Sequence, residues 1–395
     1  MVTQLSQLGF MLFLCVLVAM LTRRMHVPYT VGLVLAGIGL DFLPVHFQLQ
    51  LSKDLIFSVF LPPLVFEAAL HIQWRDLRRD LPVVALLATV GLILAAAVTA
   101  VGMQMTVHWG WAGAIVFGVL IAATDPVSVT MTFKEAGARG RLRLLVEAES
   151  LLNDGTAAVG FAVALSVAAG VQSTFADTGI ALLVTVGGGI LTGAILGLTL
   201  MFLAGRTADH LVEITLTTLA AYGSFFLAEH FGCSGVLAAL TAGLVVGNEG
   251  PRCSISSAGR MAVESFWEYL AFVANSLIFL LIGAREAQQH FGAVWQAALA
   301  AIVLVTLGRA VAIYPVCALF VRSHLRVDMA HQHILFWGGL RGALALALVL
   351  GLPDDLPHRD EMIAAAFAVV AFSIFVQGLT MTPLLRRLGQ LEGKH

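Results

Sequence analysis

The chain is expected to fold as an all-α, polytopic bundle of membrane-spanning helices. Three observations carry that expectation. Of its 395 residues 59% are hydrophobic and only 12% charged, with a mean hydropathy of +0.92, which excludes an ordinary soluble domain. Apolar stretches close to the roughly 20 residues that a spanning helix needs recur along the whole chain. The alternating segments of about ten residues that mark a transmembrane β-barrel do not occur.

Thirteen spans are predicted, at 5–22, 27–43, 50–70, 81–104, 110–132, 144–170, 178–204, 211–230, 233–248, 262–284, 292–321, 331–351 and 361–384. The distribution of cations tests the count, because cytoplasmic loops carry the excess of Lys and Arg. With the N-terminus outside, the inner loops hold Arg23, Arg24, Arg75, Arg78, Arg79, Lys134, Arg139, Arg141, Arg143, Arg206, Arg252, Arg260, Arg322, Arg326, Arg386, Arg387 and Lys394. The outer side holds only Lys53, Arg285 and Arg359. A span missed or invented in mid-chain would erase that asymmetry. The first span has no basic segment before it and no small-residue cleavage site after it, so it reads as a retained helix.

An odd number of spans makes two six-span repeats begin on opposite sides, the inverted plan of many secondary transporters. The fifth and twelfth spans then correspond, and both are interrupted. The fifth reads Ala123-Thr124-Asp125-Pro126-Val127-Ser128, where the proline breaks or kinks the helix. The twelfth reads Gly338-Gly339-Leu340-Arg341-Gly342, which glycine lets unwind. Broken helices at matching positions point to a site near the midplane.

The sixth span carries the chemistry in Glu149-Ser150-Leu151-Leu152-Asn153-Asp154-Gly155. An acidic residue at the bilayer centre costs about 2.5–3.5 kcal/mol on insertion scales, so it needs a partner or a cation. At 3.6 residues per turn Glu149 stacks on Asn153 and Ser150 on Asp154. Asp154, the Ser150 hydroxyl and the Thr124 backbone carbonyl form an oxygen cage suited to Na⁺ or Li⁺. The alternative for Asp154 is a buried structural carboxylate.

Two cations, Arg309 and Arg341, fall inside spans. Pairing Glu149 with Arg309 keeps that carboxylate ionised and gives it a structural role. The alternative is an Arg309 that snorkels to an interface. Asp125 and Arg341 are expected to compensate the dipoles of the broken helices, the carboxylate at N-termini and the guanidinium at C-termini. The alternative is that they pair with each other. Glu67 follows Phe60-Leu61-Pro62-Pro63 and lies either in a cytoplasmic funnel or at the interface. Glu147, Glu213, Glu264 and Glu268 read as interfacial.

Other classes fit poorly. A net charge of -2 gives no reason to expect nucleic acid. Cys15, Cys233, Cys253 and Cys317 are scattered, with neither metal-ligand spacing nor a disulfide framework. Gly232-Cys233-Ser234-Gly235 mimics an intramembrane serine protease, but His290, His331 and His333 lie near span ends, and small residues that pack helices explain it better. With no H-E-x-x-H, P-loop lysine or dinucleotide fingerprint, no enzyme is expected.

Thr124-Asp125-Pro126, the Glu149–Gly155 run, Phe60-Leu61-Pro62-Pro63 and Gly338-Gly339-Leu340-Arg341-Gly342 together resemble the signatures of monovalent cation/proton antiporters. The nearest type is the sodium/proton exchangers, NhaP-like proteins included, and the resemblance runs along essentially the whole chain. It implies a 13-helix fold within residues 1–390. A mobile core would include 81–170 and 292–384, and a dimerisation scaffold 1–43 and 178–248. It also implies that Asp154 binds the ion, that Ser150 and Thr124 help ligate it, that Asn153 stabilises the site and that Glu149 pairs with an arginine.

The mechanism expected from the residues is competition at one carboxylate. A bare anion is too costly to carry across an apolar barrier, so the site crosses protonated or with a cation bound. Asn153 stands where a second titratable acid would otherwise sit, which predicts electroneutral exchange, one proton per cation. The cargo is Na⁺, with Li⁺ and K⁺ left open, and no cofactor is expected. A cation channel or an uptake carrier built on the same polar core are the alternatives. The partners expected are the cation, the proton, the lipid bilayer and a second copy of the chain. Very short loops point to a bacterial inner membrane.

Overall fold

In the computed structural model the described residues are 2–25, 27–40, 51–125, 133, 140–170, 175–249, 257–287 and 291–390, and all their regular structure is helical. In chain order these are α1 (Val2–Met25), α2 (Tyr29–Leu40), α3 (Leu55–Leu70), α4 (Trp74–Thr106), α5 (Gly110–Ala122), α6 (Arg141–Ala168) and α7 (Phe175–Ala204). They continue as α8 (His210–His230), α9 (Gly235–Glu249), α10 (Ser257–Glu286), α11 (Phe291–Leu319), α12 (Met329–Trp337), α13 (Ala343–Leu350) and α14 (Arg359–Arg387). Eight of them, α1, α4, α6, α7, α8, α10, α11 and α14, are long and apolar enough to cross a bilayer, so this is a multi-pass membrane protein. Shorter apolar helices are α2, α3, α5 and α9. Pro126, Val127, Ser128, Lys134, Arg139, Arg252, Cys253, His290 and Lys394 lie outside the described residues.

The helices associate in two groups. α1, α2, α3, α7, α8, α9 and α10 pack chiefly on one another, and so do α4, α5, α6, α11, α12, α13 and α14. In the first group Trp267 packs against Phe66 with ring centroids 4.5 Å apart and the planes tilted by 43°, and its indole N–H donates to Thr217 Oγ1 at 3.0 Å. Such close contact needs small residues. A Cβ on Gly37 would strike the α10 backbone at Leu280, and one on Gly283 would strike α2 at Val34. Gly243 and Gly247 do the same for α9 against Phe66 and Leu70 of α3.

Several helices contain a π-turn, which frees carbonyls for bonds outside the helix. The turn at Leu55–Phe60 runs directly into Pro62 and Pro63, which cannot donate back to the preceding turn. Tyr222, in a second π-turn at Leu219–Gly223, donates to Val59 O in the first at 2.9 Å. Thr156 of α6 donates to Ala88 O, in the α4 π-turn Leu87–Gly91, at 2.6 Å.

Glu213 departs from its interfacial reading: it is fully buried, at 0% exposure. Glu147 is also buried and bonds Arg143 at 2.6 Å. Glu147 nevertheless lines an open cavity beside the start of α6, whereas Glu213 has no exposed surface. Glu264 does lie exposed, paired with Arg260 at 2.8 Å.

Candidate ion-binding site

Helix α6 presents Glu149, Ser150, Asn153 and Asp154 on adjacent stripes, and all four are buried, at 3% exposure or less. Helix α5 ends at Ala122, and Ala123 turns the chain out of the helix with φ -57° and ψ 137°. Thr124 and Asp125 follow against α6. The Thr124 hydroxyl donates to Ser150 Oγ at 3.0 Å. The Asn153 amide donates to Thr124 Oγ1 at 3.2 Å, Ala122 O at 3.3 Å and Glu149 Oε1 at 3.4 Å. Asn153 thus stitches the broken end of α5 to α6. The sequence offers the Thr124 carbonyl to the cage; in the structure its hydroxyl is already part of the network.

Glu149 and Arg309 form a two-pronged buried pair, at 2.8 Å from Nη1 to Oε1 and 2.9 Å from Nη2 to Oε2. Arg309 also donates to the Leu335 carbonyl, from Nη2 at 2.9 Å and Nε at 3.3 Å. Leu335 lies in the last turn of α12, whose final carbonyls have no helical partner. Arg309 is therefore both the counter-ion of Glu149 and a cap for a broken helix. The second role escapes sequence reading, because a backbone carbonyl leaves no mark in the sequence.

Arg341 sits in the break between α12 and α13 and plays the matching part for α5. Its Nη1 donates to Ala122 O and to Ala123 O. The breaks also meet directly, where the Asp125 N–H donates to Leu340 O at 2.7 Å. Ser373, which opens a π-turn in α14, accepts from the Arg341 N–H at 2.7 Å and holds the broken segment from behind. No sequence signal singled out Ser373. The Asp125 carboxylate lies against Gly342, where α13 begins: a Cβ there would come within 2.6 Å of Asp125 Oδ2. A carboxylate at that N-terminus is electrostatically favourable.

Asp154 and Asp125 share a cavity of about 20 Å³, closed by Leu61, Leu64 and Val65 of α3 and by the first turn of α13. That volume is close to the room one water needs. Asp154 Oδ1 and Asn153 Oδ1 are buried acceptors with no hydrogen-bond partner among the described residues. Buried polar atoms are rarely left so. Asp154, Asp125 and Thr124 line the cavity while Asn153 and Ser150 lie behind it, and hard oxygen groups around a small space suit a small cation. Glu67 does not line this cavity; its carboxylate lies one turn away, 3.5 Å from His71 Nδ1.

The site depends on a glycine. A Cβ on Gly339 would come within 2.5 Å of Arg309 Nε and 3.0 Å of its Cζ. Gly339→Ala is expected to push the guanidinium off Glu149 and Leu335 and to lower stability by about 1–3 kcal/mol, as overpacking does. A lower melting temperature of the purified protein checks this.

The chain is similar to known proteins along most of its length. The family described as sodium/hydrogen exchanger, transmembrane, matches residues 10–387. The chain is 39% identical to the Na⁺/H⁺ antiporter ApNhaP of Aphanothece halophytica over 371 residues, 92% of this chain and 70% of that protein. It is 32% identical to the Na⁺/H⁺ antiporter NhaH of Halobacillus dabanensis over 398 residues, covering 98% of each. Its fold is similar to that of the sodium proton antiporter MjNhaP1 of Methanocaldococcus jannaschii, with a TM-score of 0.78 at 20% identity, covering 98% of this chain and 99% of that one. Matched from its first helix to its last, the chain belongs to the sodium/hydrogen exchanger family, among the NhaP-like antiporters.

Proposed function

We propose that the protein exchanges Na⁺ for H⁺ across the cell membrane, the two competing for Asp154 in an electroneutral one-for-one cycle. The observation that carries this reading is the asymmetry between the two α6 carboxylates. Both oxygens of Glu149 are taken by Arg309, whereas Asp154 lines a small cavity and its Oδ1 has no hydrogen-bond partner among the described residues. Asp154 is the group able to take up a proton or a cation without breaking an ion pair. The Ser150 and Thr124 oxygens, a turn of α6 away and across the α5 break, complete the cage. Asn153 holds that break in place without being able to titrate. Asp125 and Arg341 offset the ends of the broken helices and stay charged throughout.

The rest of the reading follows from the two helix groups. The chain crosses the bilayer thirteen times, N-terminus outside and C-terminus inside, with α5 and the α12–α13 pair as the crossed broken helices. The group holding the site is the moving core, and the group with α1, α2 and α7–α9 is the scaffold and homodimer interface. A neutral Asp154, protonated or sodium-bound, lets the core move past the apolar residues of α3; the bare anion does not.

A sodium gradient imposed on proteoliposomes, with internal pH followed and the potential clamped by potassium and valinomycin, tests the proposal. A pH change that ignores the clamp is expected. One that follows the clamp refutes one-for-one exchange, and ion flux with no pH change makes the protein a channel. Competition also sets a sign: as pH falls, the proton displaces sodium and the apparent KM for Na⁺ rises, by about tenfold per pH unit once Asp154 is largely protonated. A KM flat across the active pH range refutes a shared site.

A further inference from the structure

Two polar clamps away from the ion site bracket one short piece of chain. The first is Asn248, in the last turn of α9. Its side-chain oxygen accepts from the Trp74 N–H at 2.7 Å, and its amide donates to Ile72 O at 2.9 Å and to Leu244 O at 2.8 Å. The turn from α3 to α4 is thereby tied to the helix that already grips α3 through Gly243 and Gly247. The second clamp is Arg141, the first residue of α6. Its Nε and Nη2 donate to Asp80 Oδ1 of α4 at 2.9 and 2.7 Å, its Nη1 to Arg326 O at 2.7 Å, and its Nη2 to Leu325 O at 2.8 Å. One guanidinium thus joins α4, α6 and the segment leading into α12, all in the site-bearing group.

The chain passes from one group to the other between these clamps. Trp74, Arg75, Asp76, Arg78 and Arg79 are exposed there, and only Leu77 is buried. The Gln73 side chain makes no bond to the first turn of α4, whose Trp74 N–H is met from another helix, by Asn248. A cavity of about 530 Å³ opens alongside, lined in part by Gln73, Asp76, Arg79, Arg141 and Glu147. A helix start with exposed side chains, no capping bond from its own N-cap residue and open space beside it is where backbone angles change most cheaply.

We infer that Trp74–Asp76 is the pivot between the two helix groups, and that Asn248 and Arg141 are positioning residues for exchange. The inference rests on the proposed two-group exchange cycle. When two bodies move against each other, a few residues at element ends absorb the change in φ and ψ. Asn248 stops that change from spreading back into the α3–α4 turn, and Arg141 stops it from spreading forward along α4. Without either clamp the free linker lengthens and the motion of the core is guided less well. Neither clamp bonds the ion-site residues, so sodium affinity is untouched.

The full-length chain in proteoliposomes tests this with N248A, N248D, R141A and R141K, each checked for folding by thermal melting. Vmax is expected to fall by about tenfold in N248A and R141A, which corresponds to about 1.4 kcal/mol on the barrier. The KM for Na⁺ is expected to stay within about twofold, as for a residue that leaves binding alone. N248D keeps the acceptor for the Trp74 N–H and loses less. R141K cannot reproduce the four-bond fork and does not rescue. Folded N248A and R141A variants running at wild-type Vmax overturn the inference, and so does a loss confined to KM. If the wild type exchanges no protons for sodium, the functional proposal fails, and amide hydrogen exchange then judges the pivot alone. Arg75 and Asp76 are expected to exchange faster than Leu81–Leu86, and N248A to extend fast exchange back to Trp74; equal protection across both stretches overturns the pivot.

Discussion

Asp154→Asn is expected to abolish sodium-driven proton movement and to leave the protein folded, with a melting temperature equal to or above that of the wild type. The amide matches the carboxylate in size but neither takes up a proton nor carries the charge that holds a cation. Activity and stability part company here because of where Asp154 sits. It is 3% exposed, and its Oδ1 has no hydrogen-bond partner among the described residues. Burying an uncompensated carboxylate is costly, and removing the charge relieves that cost. A loss of exchange together with a lower melting temperature would mean that Asp154 is structural. Exchange at the wild-type rate would remove it from the transport cycle.

Arg309→Ala is expected to be the most destabilising substitution in the site. Breaking a buried ion pair by deleting one partner costs about 3–5 kcal/mol, because the other charge stays buried and uncompensated. Here the loss also strips Leu335 O of two donors. Glu149→Gln should be milder, since its amide oxygen still accepts from Arg309 and the bonds to Leu335 survive. The double variant Glu149→Gln, Arg309→Met should recover part of the lost stability by removing both charges, but not the part due to the uncapped end of α12. Thermal unfolding of the four proteins in detergent separates the two contributions. Equal melting temperatures for Arg309→Ala and Glu149→Gln would mean that the cap at Leu335 adds nothing.

What the sequence revealed and what it hid divide along a physical line. Hydropathy marks helices because a lipid-facing surface must be apolar over its whole length, so the long helices were legible at once. Charges in apolar runs were equally legible, since their burial cost demands a reason: Glu149, Asp154, Arg309 and Arg341 all lie at the breaks of α5 and α12–α13. Side-chain bonds to backbone groups were not. The carbonyls of Leu335, Ala122 and Ile72 belong to residues whose identity is irrelevant to the bond, so neither the capping by Arg309 nor the clamp of Asn248 could be read in advance. The π-turns were hidden for a related reason: one extra residue in a helix changes register without changing composition. Glu213 was misjudged because nearness to a helix end was taken for nearness to water, while its neighbours bury it completely.

The paired glycines at the α2–α10 crossing bear on how inactivating variants of this protein should be interpreted. Gly37 and Gly283 carry no charge and lie on the group of helices that does not hold Asp154, yet each meets the opposite backbone with no room for one methyl group. A genetic screen for lost sodium/proton exchange should therefore recover alanine, serine and valine at these two positions as readily as changes to the acidic residues. Such hits mark failed assembly rather than failed ion recognition, and the amount of protein in the membrane tells the two apart.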